Sequence, residues 1–344
     1  SLQNRGLASL DLIRSVLQTV VVFVCALWGF GYWSLAIGQI TASALGMLAM
    51  LFRVGIAPTW PSAEHWRASL VRGKHFMTTS VMWQSYSNAD IWVLSRVVGP
   101  AAVGAYSLAR TLASMPSDKI VTVVTGVTNG YVANAKSDSA ALKRLYLALT
   151  HGVAIITALP LAGLAATADL AVPVLLGERW VDVVAPLRFL CVGAFLWSLN
   201  TVAFQVAANA EKIRGLSISS AAAVPFSYAA YFVAARFGGA SFVAAAWIVV
   251  VVFVALPVIA LANKTSQASL REYLLAHADA VKVIVIVFAS TYAVRWVIPH
   301  AWPPQLSLAA LAFVGGLAGG LVIWRSPMPS VVALKSKLLR RAAA

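Results

Sequence analysis

Two ionisable residues, Asp90 and Arg110, stand where most neighbours are apolar or neutral. A carboxylate can carry a proton or hold a cation, and a guanidinium offers a planar fork of donors that matches a phosphate. The stretch around Asp90, residues 75–97, is dense in hydroxyls and amides, with Thr78, Thr79, Ser80, Gln84, Ser85, Ser87 and Asn88. At helical spacing, Thr79, Trp83, Tyr86 and Asp90 form one stripe of mixed aromatic and polar groups. Such a stripe suits the wall of a wet cavity that contacts a sugar or a headgroup. The next stretch carries Arg110, Asp118 and Lys119, with Pro116 expected to bend it.

The elements that must position these residues are apolar helices. The chain has 344 residues, of which 60% are hydrophobic and only 11% charged. Soluble domains carry about 25% charged residues, so this composition belongs in lipid. At about 20 residues per crossing the length accommodates roughly ten transmembrane helices. They are expected near 8–29, 32–53, 75–97, 102–131, 144–166, 184–208, 214–236, 240–262, 281–298 and 305–324. A Gly-containing turn at 28–33, flanked by Trp and Tyr, separates the first two. The excursion 167–185, with Pro173 and Pro186 breaking helix continuity, reads as a short re-entrant or interfacial elbow.

The net charge of +15 would suggest nucleic acid in a soluble protein, but the basic residues sit in short connectors, where they act as orientation signals. Placing the N-terminus in the cytoplasm puts nineteen Lys and Arg inside and five outside, namely Arg96, Arg179, Arg188, Arg236 and Arg295. Both termini are therefore expected to be cytoplasmic, with 325–344 a basic tail whose stretch from Leu334 to Arg341 lies near the anionic inner leaflet.

Membrane depth ties the polar stretches together. The hairpin turn falls near Gly99-Pro100, so residues whose numbers sum to about 200 lie at similar depth, as Asp90 and Arg110 do. An unpaired charge there costs at least about 2.5 to 3.5 kcal/mol, so a pair or a shared water network is expected. The pair either locks two helices or presents Arg110 to a cavity.

Other chemistry is largely excluded by motif. No phosphate-cradling Gly-x-x-x-x-Gly-Lys-Ser/Thr loop and no Gly-x-Ser-x-Gly elbow occurs. The five histidines, at 65, 75, 151, 277 and 300, lack metal-ligand spacing, so no metal or other cofactor is expected. Cys25 and Cys191 fall in apolar segments as packing residues. The Gly-rich run 315–320 suits close helix packing, and the sequon at Asn263 falls on the expected cytoplasmic side.

Several motifs resemble a known family. Leu2-Gln-Asn-Arg with Gly29-Phe-Gly-Tyr-Trp-Ser-Leu, Asn88-Ala-Asp-Ile-Trp-Val-Leu-Ser-Arg-Val-Val-Gly with Val103-Gly-Ala-Tyr-Ser-Leu-Ala-Arg, and Leu175-Leu-Gly-Glu-Arg-Trp with Ala185-Pro-Leu-Arg-Phe-Leu are similar to Wzx-type polysaccharide exporters, in particular their colanic-acid branch. The resemblance covers residues 2–215, and the last four helices match in hydropathy only. It implies an all-α, polytopic flippase of the multidrug/oligosaccharidyl-lipid/polysaccharide exporter superfamily, with two lobes around a cavity. The ten helices would be the last ten of fourteen, with four more expected upstream. Residues 1–53 would then end the first lobe, 72–262 form the second and 281–324 the additional pair, before the tail.

The resemblance further implies a transporter, not an enzyme, in the bacterial inner membrane. Its substrate would be an undecaprenyl-diphosphate-linked oligosaccharide, and its partners membrane lipid and a polysaccharide polymerase with its assembly proteins, not nucleic acid. The path would run along Thr79, Trp83, Tyr86, Asn88, Asp90, Tyr106 and Arg110, with Asp90 and Asp118 as candidates for coupling to protons or sodium. Two other readings compete. A drug or cation antiporter would favour an acidic, aromatic lining without an exposed Arg, and a membrane glycan polymerase or ligase would carry a large external loop.

Overall fold

The structure, a computed structural model, describes residues 2–54, 62, 66, 70, 77, 81–134, 139–208, 213–299 and 302–326, with backbone alone at 2–12, 50, 52–54, 123–134, 208 and 213–221. Ten α-helices run through them. The contacts divide the chain into two units, residues 1–76 and 77–344.

In the first unit, α1 (Leu2–Leu27) and α2 (Trp33–Val54) form an antiparallel hairpin. Gly29 and Gly31 take positive φ, which turns the chain at the place the sequence marks. Gln18 donates to Gln39 at 2.8 Å across the pair, and Gly38 sits so tightly against Val22 that a Cβ there would overlap it.

The second unit begins with a helical stretch at 81–87, a turn at Asn88, and α3 (Ala89–Val97). There follow α4 (Pro100–Asn134), α5 (Ser139–Leu176), a 3-10 turn (Glu178–Val183) and α6 (Val184–Ala208). α7 (Ile213–Ser266) breaks at Gly238-Gly239, where Gly239 takes φ +60°, so its two arms match the two helices expected there. A short α8 (Leu270–Leu275), held by a capping box between Ser269 and Glu272, leads into α9 (Ala278–Val297) and α10 (Pro304–Arg325).

Among the described residues, five stretches are long and apolar enough to cross a bilayer: Ser139–Leu176, Glu178–Ala207, Ala222–Ser266, Leu270–Val297 and Pro304–Arg325. α4 has the length of a crossing, but Arg110, Asp118 and Lys119 make it more polar than those five. The elbow is shorter than the sequence suggests. α5 continues to Leu176 through Pro160 and Pro173, and Pro186 lies in the first turn of α6, where a missing N–H costs no helical bond.

α6 packs against α4, α5 and α7 in the core of this unit, where Leu187, Leu190 and Cys191 are buried with Tyr106, Leu161 and Val243. α9 and α10 dock on α5 through Val283, Val287, Ala154 and Ala158. Gly315 and Gly319 lie against Thr291, Val287 and Leu159 at that seam, while Gly316 and Gly320 open outward. Small residues let backbones approach where lipid supplies no hydrophobic drive.

Polar side-chain contacts fasten both ends of α9 to α5. At one end Asp169 accepts from Arg188 at 3.0 Å and also from Arg295. At the other, Asp279 pairs with His151 at 3.3 Å and with Lys282 at 2.9 Å, and accepts a bond from the Ser326 hydroxyl.

Candidate functional site

The α3–α4 hairpin sets the site. Gly99 takes φ +116°, a conformation that a Cβ would strain, and its N–H reaches back to the Leu94 carbonyl. Pro100 starts α4 at once, where its fixed φ suits the first turn. The tight turn places Asp90 and Arg110 side by side, as the depth argument requires.

Arg110 Nη1 donates to both carboxylate oxygens of Asp90 at 3.1 Å. Tyr106 donates its phenolic proton to Oδ2 at 2.8 Å, and the Ile91 N–H, one of the donors left without a helical partner in the first turn of α3, reaches Oδ1 at 2.9 Å. Arg110 Nη2 donates to the Ser87 carbonyl at 2.7 Å. The turn at Asn88 makes that carbonyl accessible.

Burial divides the pair unequally. Asp90 is 1% exposed and fully engaged, while the Arg110 side chain keeps 26% of its surface. Asp90 thus sits behind Arg110 and orients it. The guanidinium lies on the wall of a cavity of about 210 Å³. From α4 the wall continues with Ser114, Ser117 and Asp118, and from the preceding helical stretch with Tyr86 and Ser87. α6 contributes Leu190, Ala194 and Trp197, and the two arms of α7 contribute Tyr231 and Trp247. Trp83 packs on Tyr86 at 5.8 Å and on Trp197 at 6.0 Å between ring centres. A cation, hydroxyls, a carboxyl group and the rings of two tyrosines and two tryptophans therefore share one small chamber, which can bind an anion while stacking a ring against it.

Of the residues singled out by sequence, Tyr86, Arg110 and Asp118 line this chamber and Trp83 joins the aromatic cluster beside it. Asp90 and Tyr106 lie behind the wall. Asn88 turns away and donates to the Gln84 carbonyl at 3.1 Å. Thr79 lies outside the described residues. Sequence reasoning missed Ser114 and Ser117, although they continue the helical stripe from Arg110 at intervals of four and three. It also missed Trp197, Tyr231 and Trp247, which stand in apolar helices where hydropathy gives no sign of a cavity.

Comparison with known proteins places the chain. The polysaccharide biosynthesis protein family matches residues 1–185. The chain is 27% identical over 188 residues to the lipopolysaccharide biosynthesis protein WzxC of Escherichia coli (strain K12), a match covering 52% of this chain and 38% of that protein. It is 30% identical over 172 residues to the succinoglycan biosynthesis transport protein ExoT of Rhizobium meliloti (strain 1021), covering 49% of this chain and 35% of the relative. These matches thus span little more than a third of each relative's length. In structure the chain is similar to the lipid II flippase MurJ in an inward closed conformation, with a TM-score of 0.68 over 90% of this chain and 66% of that one, at 11% identity. The all-α helix arrangement, the apolar spans and the matched sequence agree that this multi-pass membrane protein belongs to the polysaccharide biosynthesis protein family.

Proposed function

We propose that this protein moves an undecaprenyl-diphosphate-linked oligosaccharide across the bacterial inner membrane for surface polysaccharide synthesis. The observation that carries this reading is Arg110, held by Asp90 and Ser87 with its guanidinium on the wall of an aromatic and hydroxyl-lined cavity. A lipid-linked saccharide brings a diphosphate and sugars into a low-dielectric slab, so its carrier needs a cation for the first and stacking or hydroxyl groups for the second. The MurJ-like fold and the similarity to WzxC and ExoT support the same reading.

In this mechanism the cavity opens to one face of the membrane and then to the other, with both termini of this chain in the cytoplasm. Asp118, on the wall, is the first candidate for ion coupling, and Asp90 acts chiefly by orienting Arg110. Arg110 weighs against the antiporter reading, since a small apolar cation would meet its guanidinium beside Asp118 in the same chamber.

Arg110→Lys in the chromosomal gene tests the proposal. Lysine keeps the charge beside Asp90 but loses the fork that serves phosphate, so surface polysaccharide should fall about tenfold or more at unchanged protein level, the effect of losing one charge-assisted bond. Normal polysaccharide in both Arg110→Lys and Arg110→Ala would refute it.

A further inference from the structure

A second cavity, of about 420 Å³, lies away from the first between α5, α6 and α9. Its walls are almost wholly apolar: Ala162 and Ala165 leave the space, Phe195 lines it from α6 and Phe288 from α9, and Arg188 and Tyr292 are the polar residues among its lining. Arg188 and Phe195 are two turns apart on α6, so the groove runs about 10 Å along the helix. Arg295 lies one turn beyond Tyr292 on the same face of α9, and Arg188 and Arg295 share the carboxylate of Asp169. Two guanidiniums on one carboxylate leave a formal charge of +1, and their side chains are 43% and 42% exposed. An apolar slot thus opens at a singly cationic mouth.

We propose that this groove is a binding site for an anionic glycerophospholipid, with one acyl chain lying along Ala162, Phe195 and Phe288 and its phosphodiester at Arg188 and Arg295. The charge favours this occupant. One excess positive charge matches one phosphodiester, whereas a zwitterionic headgroup gains nothing net and a diphosphate is left undercompensated. Ala162 and Ala165, where larger residues would fill the slot, keep it open to a chain. The lipid also lies across the seam between α9 and the lobe, so it acts as a structural partner of that docking. This site is separate from the Arg110 cavity and does not depend on the transport reading.

The test is lipid retention by the purified full chain, followed by native mass spectrometry with phosphatidylglycerol and phosphatidylcholine of identical acyl chains. Phosphatidylglycerol should be retained about fivefold over phosphatidylcholine, the gain from one basic residue near an anionic headgroup. Arg188→Gln should bring the two lipids near parity without changing the melting temperature in phosphatidylcholine, because Arg295 remains on Asp169. Ala162→Leu should reduce retention of both lipids by occupying the groove. Arg188→Lys, which keeps the charge, should keep the preference and controls for misfolding. Equal retention of both lipids by the unaltered chain, an unchanged preference in Arg188→Gln, or displacement of phosphatidylglycerol by undecaprenyl diphosphate would each overturn the assignment.

Discussion

Asp90→Ala is expected to remove most of the folded protein from the membrane, and Asp90→Ala with Arg110→Ala to restore its level while leaving it unable to sustain polysaccharide export. The reason is the asymmetry of the pair. Asp90 receives donors from Arg110, Tyr106 and Ile91 and is 1% exposed, so its removal strands a guanidinium and a buried phenol together. Breaking a buried pair from one side costs about 3–5 kcal/mol, and here the lower end applies because Arg110 keeps contact with the cavity. Removing both partners eliminates the stranded charge. The measurement is the membrane-bound level and melting temperature of the two variants. A single variant that melts like the unaltered protein, or a double variant no better than the single, would contradict the geometry.

Gly193→Ala is expected to disable the cavity from outside it. A Cβ at Gly193 would overlap the six-membered ring of Trp247, which crosses from the second arm of α7 onto α6. An indole in a packed seam cannot bend away as a flexible side chain would. Either the helices separate or Trp247 swings, and since Trp247 lines the Arg110 cavity, its shape changes in both cases. Overpacking of this kind costs about 1–3 kcal/mol, so the melting temperature should fall and export should fall with it. Gly193→Ala with Trp247→Leu should regain the melting temperature, because the shorter side chain clears the new methyl group. A single variant indistinguishable in melting temperature would show that this approach is not tight.

The difference between these two sites shows what sequence could and could not reveal. Asp90 and Arg110 were legible because charge in an apolar stretch is conspicuous, and because a turn at Gly99-Pro100 converts residue number into depth. The five apolar spans were legible from hydropathy, including the break of α7 at Gly238-Gly239, whereas the span expected at 75–97 is divided by a turn at Asn88. Gly193 and Trp247 were not. In lipid both the inner and the outer face of a helix are apolar, so the periodicity that marks a buried face in water is lost. The end of α5 was missed for a related reason, since Pro160 and Pro173 remain inside a helix whose neighbours steady it. The clamp of Asp169 by Arg188 and Arg295 joins residues up to 126 positions apart, and no local pattern announces it.

The proposed transport path runs through the chamber walled by Arg110, Ser114 and Trp197, which receives the phosphate and one sugar of the lipid-linked substrate at a time. The most direct measurement places a compact diazirine-bearing side chain at position 114 in cells that make polysaccharide, with position 313 on the exposed face of α10 as the control. Irradiation should yield an adduct carrying labelled sugar and diphosphate at 114 and none at 313. Equal adducts at both positions, or none at 114 while polysaccharide is still exported, would contradict the account.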